Sequence, residues 1–312
     1  MRKLGWFLGL PTMALVLLGT LLYLRQENLA DQATLSSSSS QLISSVSSQA
    51  AKVLPTETIV KQELFVQRDS YQIRGQLTAP QGYEQKSLPL VIIAHGFGNT
   101  LDFLEPYAEI LAKAGYLVYT FDFVGGSHAS RSGGSMTEMS VFTEQADLEA
   151  VLAQLSQQSY VDSKNVFLAG YSQGGVVATL VAAAHNSQVK GLITMNAAFV
   201  LFDDARRLFP SQEDIPDIYN HRGTELGRIY FEKLLDFDIY ESMRQYGQKT
   251  LIIQGTADEI VPLSYAERAA QTFPQADLLK LEGAGHILNE KEQAQALLKT
   301  LAYLQKRLAE EN

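Results

Sequence analysis

The chain predicts an α/β fold: a mostly parallel central sheet with helices on both faces and a small cap inserted above it. Three observations carry this. Two alternating, β-favouring segments, "KQELFVQ" and "YQIRGQLTA", read as an antiparallel pair. After them, short apolar runs alternate with helical stretches almost to the end, the pattern of strands buried on both faces by helices. One segment, residues 197–247, breaks the alternation and carries no strong strand.

The elements follow in order. "LPLVIIAHG" is a continuous apolar run ending in glycine, and a helical stretch follows from near Phe103 to Ala114. "YLVYTFDF" is the next strand; a Gly/Ser-rich loop then leads to a helix from about Thr143 to Gln157. "NVFLAGY" (strand), "QGGVVATLVAAAH" (helix) and "VKGLITMNA" (strand) come next. Beyond the interruption stand "KTLIIQG" (strand), a helix near Ser264 to Thr272, "ADLLKLEG" (strand) and a last helix from about Glu290 to Arg307. The interrupting segment mixes aromatic residues and leucine with many charges. A loop of that length without structure is unusual in a compact domain. It reads as an irregular or helical cap whose aromatics line a pocket.

Composition narrows the chemistry. The chain has 312 residues, 46% of them hydrophobic, enough for a large core. Net charge is −9, with no long basic block, which argues against nucleic acid as a partner. There is no cysteine, so disulfides, thiolate metal sites, thiol nucleophiles and a lipidated N-terminal cysteine are excluded. Oligomeric state is not legible.

The N-terminal region stands apart, and residues 1–30 read as a signal-anchor with its flanks. From Leu4 to Leu24 there is no charge, a run long enough for a hydrocarbon core of about 30 Å. Arg2 and Lys3 precede it, so the positive-inside rule puts the N-terminus in the cytoplasm and the rest of the chain outside. A cleaved secretory signal is the alternative, with Ala30 and Ala33 near the weak cleavage positions. Residues 31–60, with "TLSSSSSQLISSVSSQAAK", hold too few large apolar residues for a core and read as a flexible linker. The folded domain is expected over residues 61–312.

Gly170-Tyr171-Ser172-Gln173-Gly174 fits G-x-S-x-G between a strand and a helix. A serine at such a turn is exposed by backbone strain, and the following helix N-terminus favours a developing anion. A hydroxyl nucleophile needs a base. His95 precedes a glycine at a strand end, His128 lies in the Gly/Ser loop, His185 closes the helix after Ser172, and His221 is in the cap. His286, in "LEGAGHIL" past the last strand, is the expected base. The base needs an orienting carboxylate. Asp258 follows the buried strand "LIIQG", with Glu259 beside it as the fallback; Asp236, Asp238 and Asp277 read as solvated or structural. Two backbone N–H donors are needed for an oxyanion. Gln173, after the nucleophile, and Phe97, between two glycines in "AHGFGNT", are the expected pair.

These stretches, with "FDFVGGSHAS", "EDIPDIY" and "LGRIYFEKLLDFDIYE", resemble the α/β-hydrolase superfamily over residues 61–308, and within it the bacterial cinnamoyl (feruloyl) esterases. The resemblance implies a Ser172–Asp258–His286 triad, a small-molecule ester substrate of short-chain acyl or aryl type, no metal and no cofactor. It also implies a cap carboxylate near the acyl ring, for which Asp203 is the candidate and Asp204 its neighbour. The sequence departs from that family in Tyr171, where histidine is usual, a change expected to leave the triad unaffected. The long "VGGSHASRSGGS" loop also departs and puts the acyl specificity in doubt. An exported peptidase or acyltransferase of the same fold, or a non-catalytic binding module, are the other readings.

The anchor reading is tested on intact protoplasts. Added protease is expected to release an active fragment beginning within the serine-rich stretch. A chain recovered from the medium with its N-terminus near residue 31 or 34 would instead show signal cleavage.

Overall fold

The computed structural model describes residues 57–310. The expected anchor and nearly all of the serine-rich linker lie outside the described residues. Among the described residues, no helix is long and apolar enough to cross a membrane.

An eight-stranded sheet forms the centre, in the order β1-β2-β4-β3-β5-β6-β9-β10. β1 (Ile59–Arg68) and β2 (Tyr71–Pro80) make the expected antiparallel hairpin, and β2 pairs antiparallel with β4 (Leu117–Phe121). β3 (Leu88–Ala94), β4, β5 (Val161–Tyr171), β6 (Gly191–Met195), β9 (Lys249–Gly255) and β10 (Ala276–Leu281) are all parallel. β1 starts at Ile59, before the "KQELFVQ" read from sequence, and β5 starts earlier than "NVFLAGY".

Period-two alternation explains the continuous apolar runs. In β3, Leu90, Ile92 and Ala94 enter one core cluster while Val91 and Ile93 enter the other; in β5, Val166 and Leu168 oppose Phe167 and Ala169. The Val91 side is covered by α1 (Glu105–Lys113) and α8 (Glu290–Ala309) through residues such as Leu111, Leu297 and Leu301. The Leu90 side is covered by α2 (Val141–Leu155), α3 (Gln173–Ala184) and α7 (Leu263–Thr272). Each fully buried Leu or Ile contributes about 1.5–3 kcal/mol of transfer free energy.

The insertion after β6 is more regular than its sequence suggests. It contains α4 (Leu201–Leu208), a hairpin of β7 (Ile218–His221) and β8 (Thr224–Gly227), and α5 (Ile229–Asp236). The hairpin corrects the irregular-or-helical reading. Arg222 (φ +54°) and Gly223 (φ +91°) are both left-handed, as a tight two-residue hairpin turn requires. α6 (Ile239–Gln245) closes the segment. Its Ile239 and Met243 are fully buried in the core shared with α3. It is therefore the crossover helix that parallel β6 and β9 require, and the insertion proper ends before it.

The N-terminal hairpin is tied to the body by an ion pair between the partly buried Arg68 and a fully buried carboxylate. Arg68 donates from Nε to Asp147 on α2, and the other Asp147 oxygen accepts from Val124 N at 2.9 Å. Burial lifts the Asp147 carboxyl from 3.8 to about 6, with Arg68 opposing that rise. Replacing Arg68 by Met strands this carboxylate. Stability at pH 7 is expected to fall by about 3 kcal/mol in urea unfolding. The folded pKa already lies above the unfolded one, so the native state takes up the proton first as pH falls and sheds its buried charge. The deficit should therefore shrink at pH 5, and an equal deficit at both values would contradict this role for the pair.

Candidate active site

β5 and α3 meet at Ser172 with almost no chain between them. Ser172 has φ +52° and ψ −120° and is the residue before the first turn of α3. Its backbone is held on three sides: Ser172 N donates to Met195 O at 2.9 Å, and its carbonyl accepts from Gly175 N and Ala198 N at 3.0 Å each. The glycines around it are demanded by close approach. A Cβ on Gly170 would lie 2.2 Å from the Gly174 oxygen, and one on Gly174 would lie 2.4 Å from the Ala94 and His95 oxygens. Neither gap admits a side chain.

The loops after β9 and β10 bring two more predicted residues to the serine. His286 Nε2 lies 3.0 Å from Ser172 Oγ, and His286 Nδ1 lies 2.8 Å from Asp258 Oδ2. A carboxylate only accepts, so Nδ1 carries the proton and Nε2 is left to accept from the serine hydroxyl. Asp258 is buried and held in place: Oδ1 accepts from Ile260 N at 2.9 Å and Val261 N at 2.8 Å, and Oδ2 also accepts from Gln254 Nε2 at 3.0 Å. Glu259, the fallback carboxylate, points to solvent.

The glycine loop after β3 lies against the elbow, where a Cβ on Gly96 would stand 3.1 Å from Ser172 Cβ. Neither the Phe97 amide nor the Gln173 amide meets an acceptor among the described residues. The loop is pinned from its neighbours. Gly98 N donates to Gly126 O at 3.0 Å, Ser127 Oγ donates to Gly98 O at 3.0 Å, and Asp122 Oδ1 accepts from Leu101 N at 2.9 Å. His95 is buried; its Nε2 accepts from Phe123 N at 3.2 Å and its Nδ1 donates to Gly96 O at 2.8 Å. Burial lowers its pKa, and it stays a neutral structural strut.

The remaining candidates are scattered. His128 is exposed, and His185 lies 3.6 Å from Glu149. His221 sits in the cap against Phe97, with ring centroids 5.9 Å apart, and its pKa is lowered by burial and then by Arg222. Asp203 is half-exposed on α4; its carboxylate accepts from Tyr265 at 2.9 Å and Arg206 at 3.2 Å. Asp204 pairs with Arg207.

Two supporting residues are invisible as sequence motifs. The Asn196 side chain donates to His286 O at 2.7 Å and Gly285 O at 3.3 Å, and accepts from Gly255 N at 2.9 Å. It joins the ends of β6 and β9 to the histidine loop. Tyr171 donates its hydroxyl to the same His286 carbonyl. The residue that departs from the esterase pattern therefore touches the histidine's backbone, with the contacts among Ser172, His286 and Asp258 in place beside it. The only sequence signal for either was adjacency to a strand end.

The sheet order, the strand-to-helix serine turn and the inserted cap define an α/β-hydrolase fold. A family model described as alpha/beta hydrolase fold matches residues 221–293, and one described as serine aminopeptidase, S33 matches residues 85–214. The AB hydrolase superfamily protein YisY of Bacillus subtilis is 24% identical over 251 residues, covering 67% of this chain and 89% of its own. A thermostable monoacylglycerol lipase from Bacillus sp. (strain H-257) is 32% identical over 109 residues, 35% of this chain and 40% of its own. Est1E from Butyrivibrio proteoclasticus, solved with ferulic acid bound, superposes with a TM-score of 0.73 at 22% identity, over 79% of this chain and 100% of its own. At that identity the likeness is one of fold. The chain has the α/β-hydrolase fold and is similar to α/β-hydrolase family models over residues 85–214 and 221–293.

Asn196 has φ +45°, a left-handed conformation that alanine resists and glycine accepts. Asn196→Ala is expected to cost about 2–3 kcal/mol in denaturant unfolding, through the lost bonds and the backbone strain together. Asn196→Gly keeps the first loss and relieves the second, so it should be milder by about 1 kcal/mol. Equal losses would mean that the backbone angle carries no strain.

Proposed function

We propose that the protein is a serine hydrolase of carboxylic esters, with Ser172 as nucleophile, His286 as general base and Asp258 as its orienting acid. The observation that carries this is the unbroken line from Ser172 Oγ through His286 to the buried Asp258 carboxylate. In this reading His286 Nε2 takes the hydroxyl proton as Oγ bonds to the ester carbonyl carbon. The charge on the carbonyl oxygen is met by the Phe97 and Gln173 amides. His286 then returns the proton to the leaving alkoxide, and an acyl-serine remains. Water, deprotonated by the same imidazole, releases the acid and restores the serine.

A short-chain acyl or aryl acyl group suits the surroundings. Phe97, His221 and Tyr230 bring aromatic edges together where the cap meets the Phe97 loop, with Phe97 and Tyr230 centroids 6.0 Å apart. The fold shared with Est1E, which holds ferulic acid, supports an aryl ester. The match to a serine aminopeptidase model favours a peptidase as the second reading. An aminopeptidase needs a carboxylate for the substrate's ammonium, and the cap carboxylates Asp203 and Asp204 are each already paired with an arginine. That makes the ester the better fit. The uncharged run from Leu4 to Leu24 supports a membrane-tethered enzyme with its active site outside the cell.

The test is a panel of p-nitrophenyl esters, aryl methyl esters and aminoacyl anilides. Ester turnover well above anilide turnover is expected, and the reverse order would favour the peptidase. A fluorophosphonate should label the wild type and leave Ser172→Ala unlabelled. His286→Ala should lose about three decades of turnover. Equal labelling of Ser172→Ala would overturn the assignment.

A further inference from the structure

Gln173 is expected to use its backbone amide, yet its side chain is buried and bonded at both ends. Its Nε2 donates to Glu144 Oε2 at 2.8 Å, and its Oε1 accepts from the hydroxyl of Tyr230 at 2.7 Å. Glu144 belongs to α2 in the body of the domain, and Tyr230 to α5 in the cap. All three are nearly inaccessible, at 1%, 2% and 6% exposure for Glu144, Gln173 and Tyr230. Such a line is strong because none of its members has water as an alternative partner.

Glu144 also borders the Gly126 turn, which pins the glycine loop of the other proposed donor. A Cβ on Gly126 would lie 3.3 Å from Glu144 Oε1 and 3.4 Å from His95 Cε1, and the Gly126 carbonyl holds Gly98 N. Tyr230 in turn packs edge-on against Phe97. Tyr230 thus touches both donor-bearing residues, while Glu144 touches Gln173 and borders the turn that holds the Phe97 loop.

We propose that Glu144 and Tyr230 are positioning residues: gripping the Gln173 side chain from opposite sides, they set the direction of the Gln173 amide and make the oxyanion hole depend on the seating of the cap. The inference rests on the hydrolase reading above. Burial also lifts the Glu144 carboxyl well above the ordinary range.

The test uses the purified full-length chain, with fluorophosphonate labelling and p-nitrophenyl butyrate turnover. Tyr230→Phe removes one hydroxyl, and kcat should fall about tenfold with KM within about twofold, since the bond acts on the transition state. Glu144→Leu should behave alike, and Glu144→Gln, which keeps an acceptor oxygen for Gln173, should recover most of kcat. Adding Tyr230→Phe to Gln173→Ala should cost nothing further, because the tyrosine then has nothing to grip. A raised KM with unchanged kcat in Tyr230→Phe would make it a substrate contact and overturn the proposal. So would an undiminished loss in the Gln173→Ala background, or a Glu144→Gln variant as poor as Glu144→Leu. A wild type that neither labels nor turns over would overturn the hydrolase reading first, and this inference with it.

Discussion

A serine at φ +52° is held by its neighbours or not at all. That conformation costs on the order of 1–3 kcal/mol, and the rest of the molecule is arranged to sustain it. β5 must end where α3 begins, so Gly170 and Gly174 cannot carry side chains. β6 must end level with the turn, so that Met195 O can receive Ser172 N. The central strands must be parallel, because only then do the loops after β3, β6, β9 and β10 all open at one end of the sheet. Asp258, His286, Phe97 and Asn196 sit on those four loops. The geometry of the site is a restatement of sheet polarity.

This is why so much was readable from residue order. Apolar runs such as "LVIIA" and "VFLAG" announce buried strands, and the residues that follow each run share one edge of the sheet. Once Ser172 marked that edge, the choice of His286 among five histidines needed only chain order. Choosing Asp258 over Glu259 needed more. Both stand in the same loop, and only coordinates show one carboxylate turned inward onto two backbone amides and the other exposed.

What stayed hidden is of two kinds. Asn196, Tyr171 and Glu144 make side-chain hydrogen bonds between segments far apart in the chain, and no local pattern encodes such a bond. The β7–β8 hairpin was hidden for another reason. Its strands are four residues each, partly exposed and rich in polar residues, so neither alternation nor an apolar run marks them. The order within the "VGGSHASRSGGS" loop was hidden as well: Ser127, Ser130 and Ser132 each donate a hydroxyl to a backbone carbonyl and stitch the loop to its own start and to Gly98.

The split of the inserted segment into α4, the hairpin and α5 on one side and α6 on the other has a consequence for descent. β6 and β9 are neighbours running the same way, so some helix has to carry the chain back along the sheet, and α6 is that helix. The stretch before it answers to no such demand from the sheet. Lineages can lengthen, shorten or exchange that stretch while the crossover stays fixed. New substrate preferences would then arise by trading one module, provided each newcomer still supplies a hydroxyl where Tyr230 now reaches the Gln173 side chain.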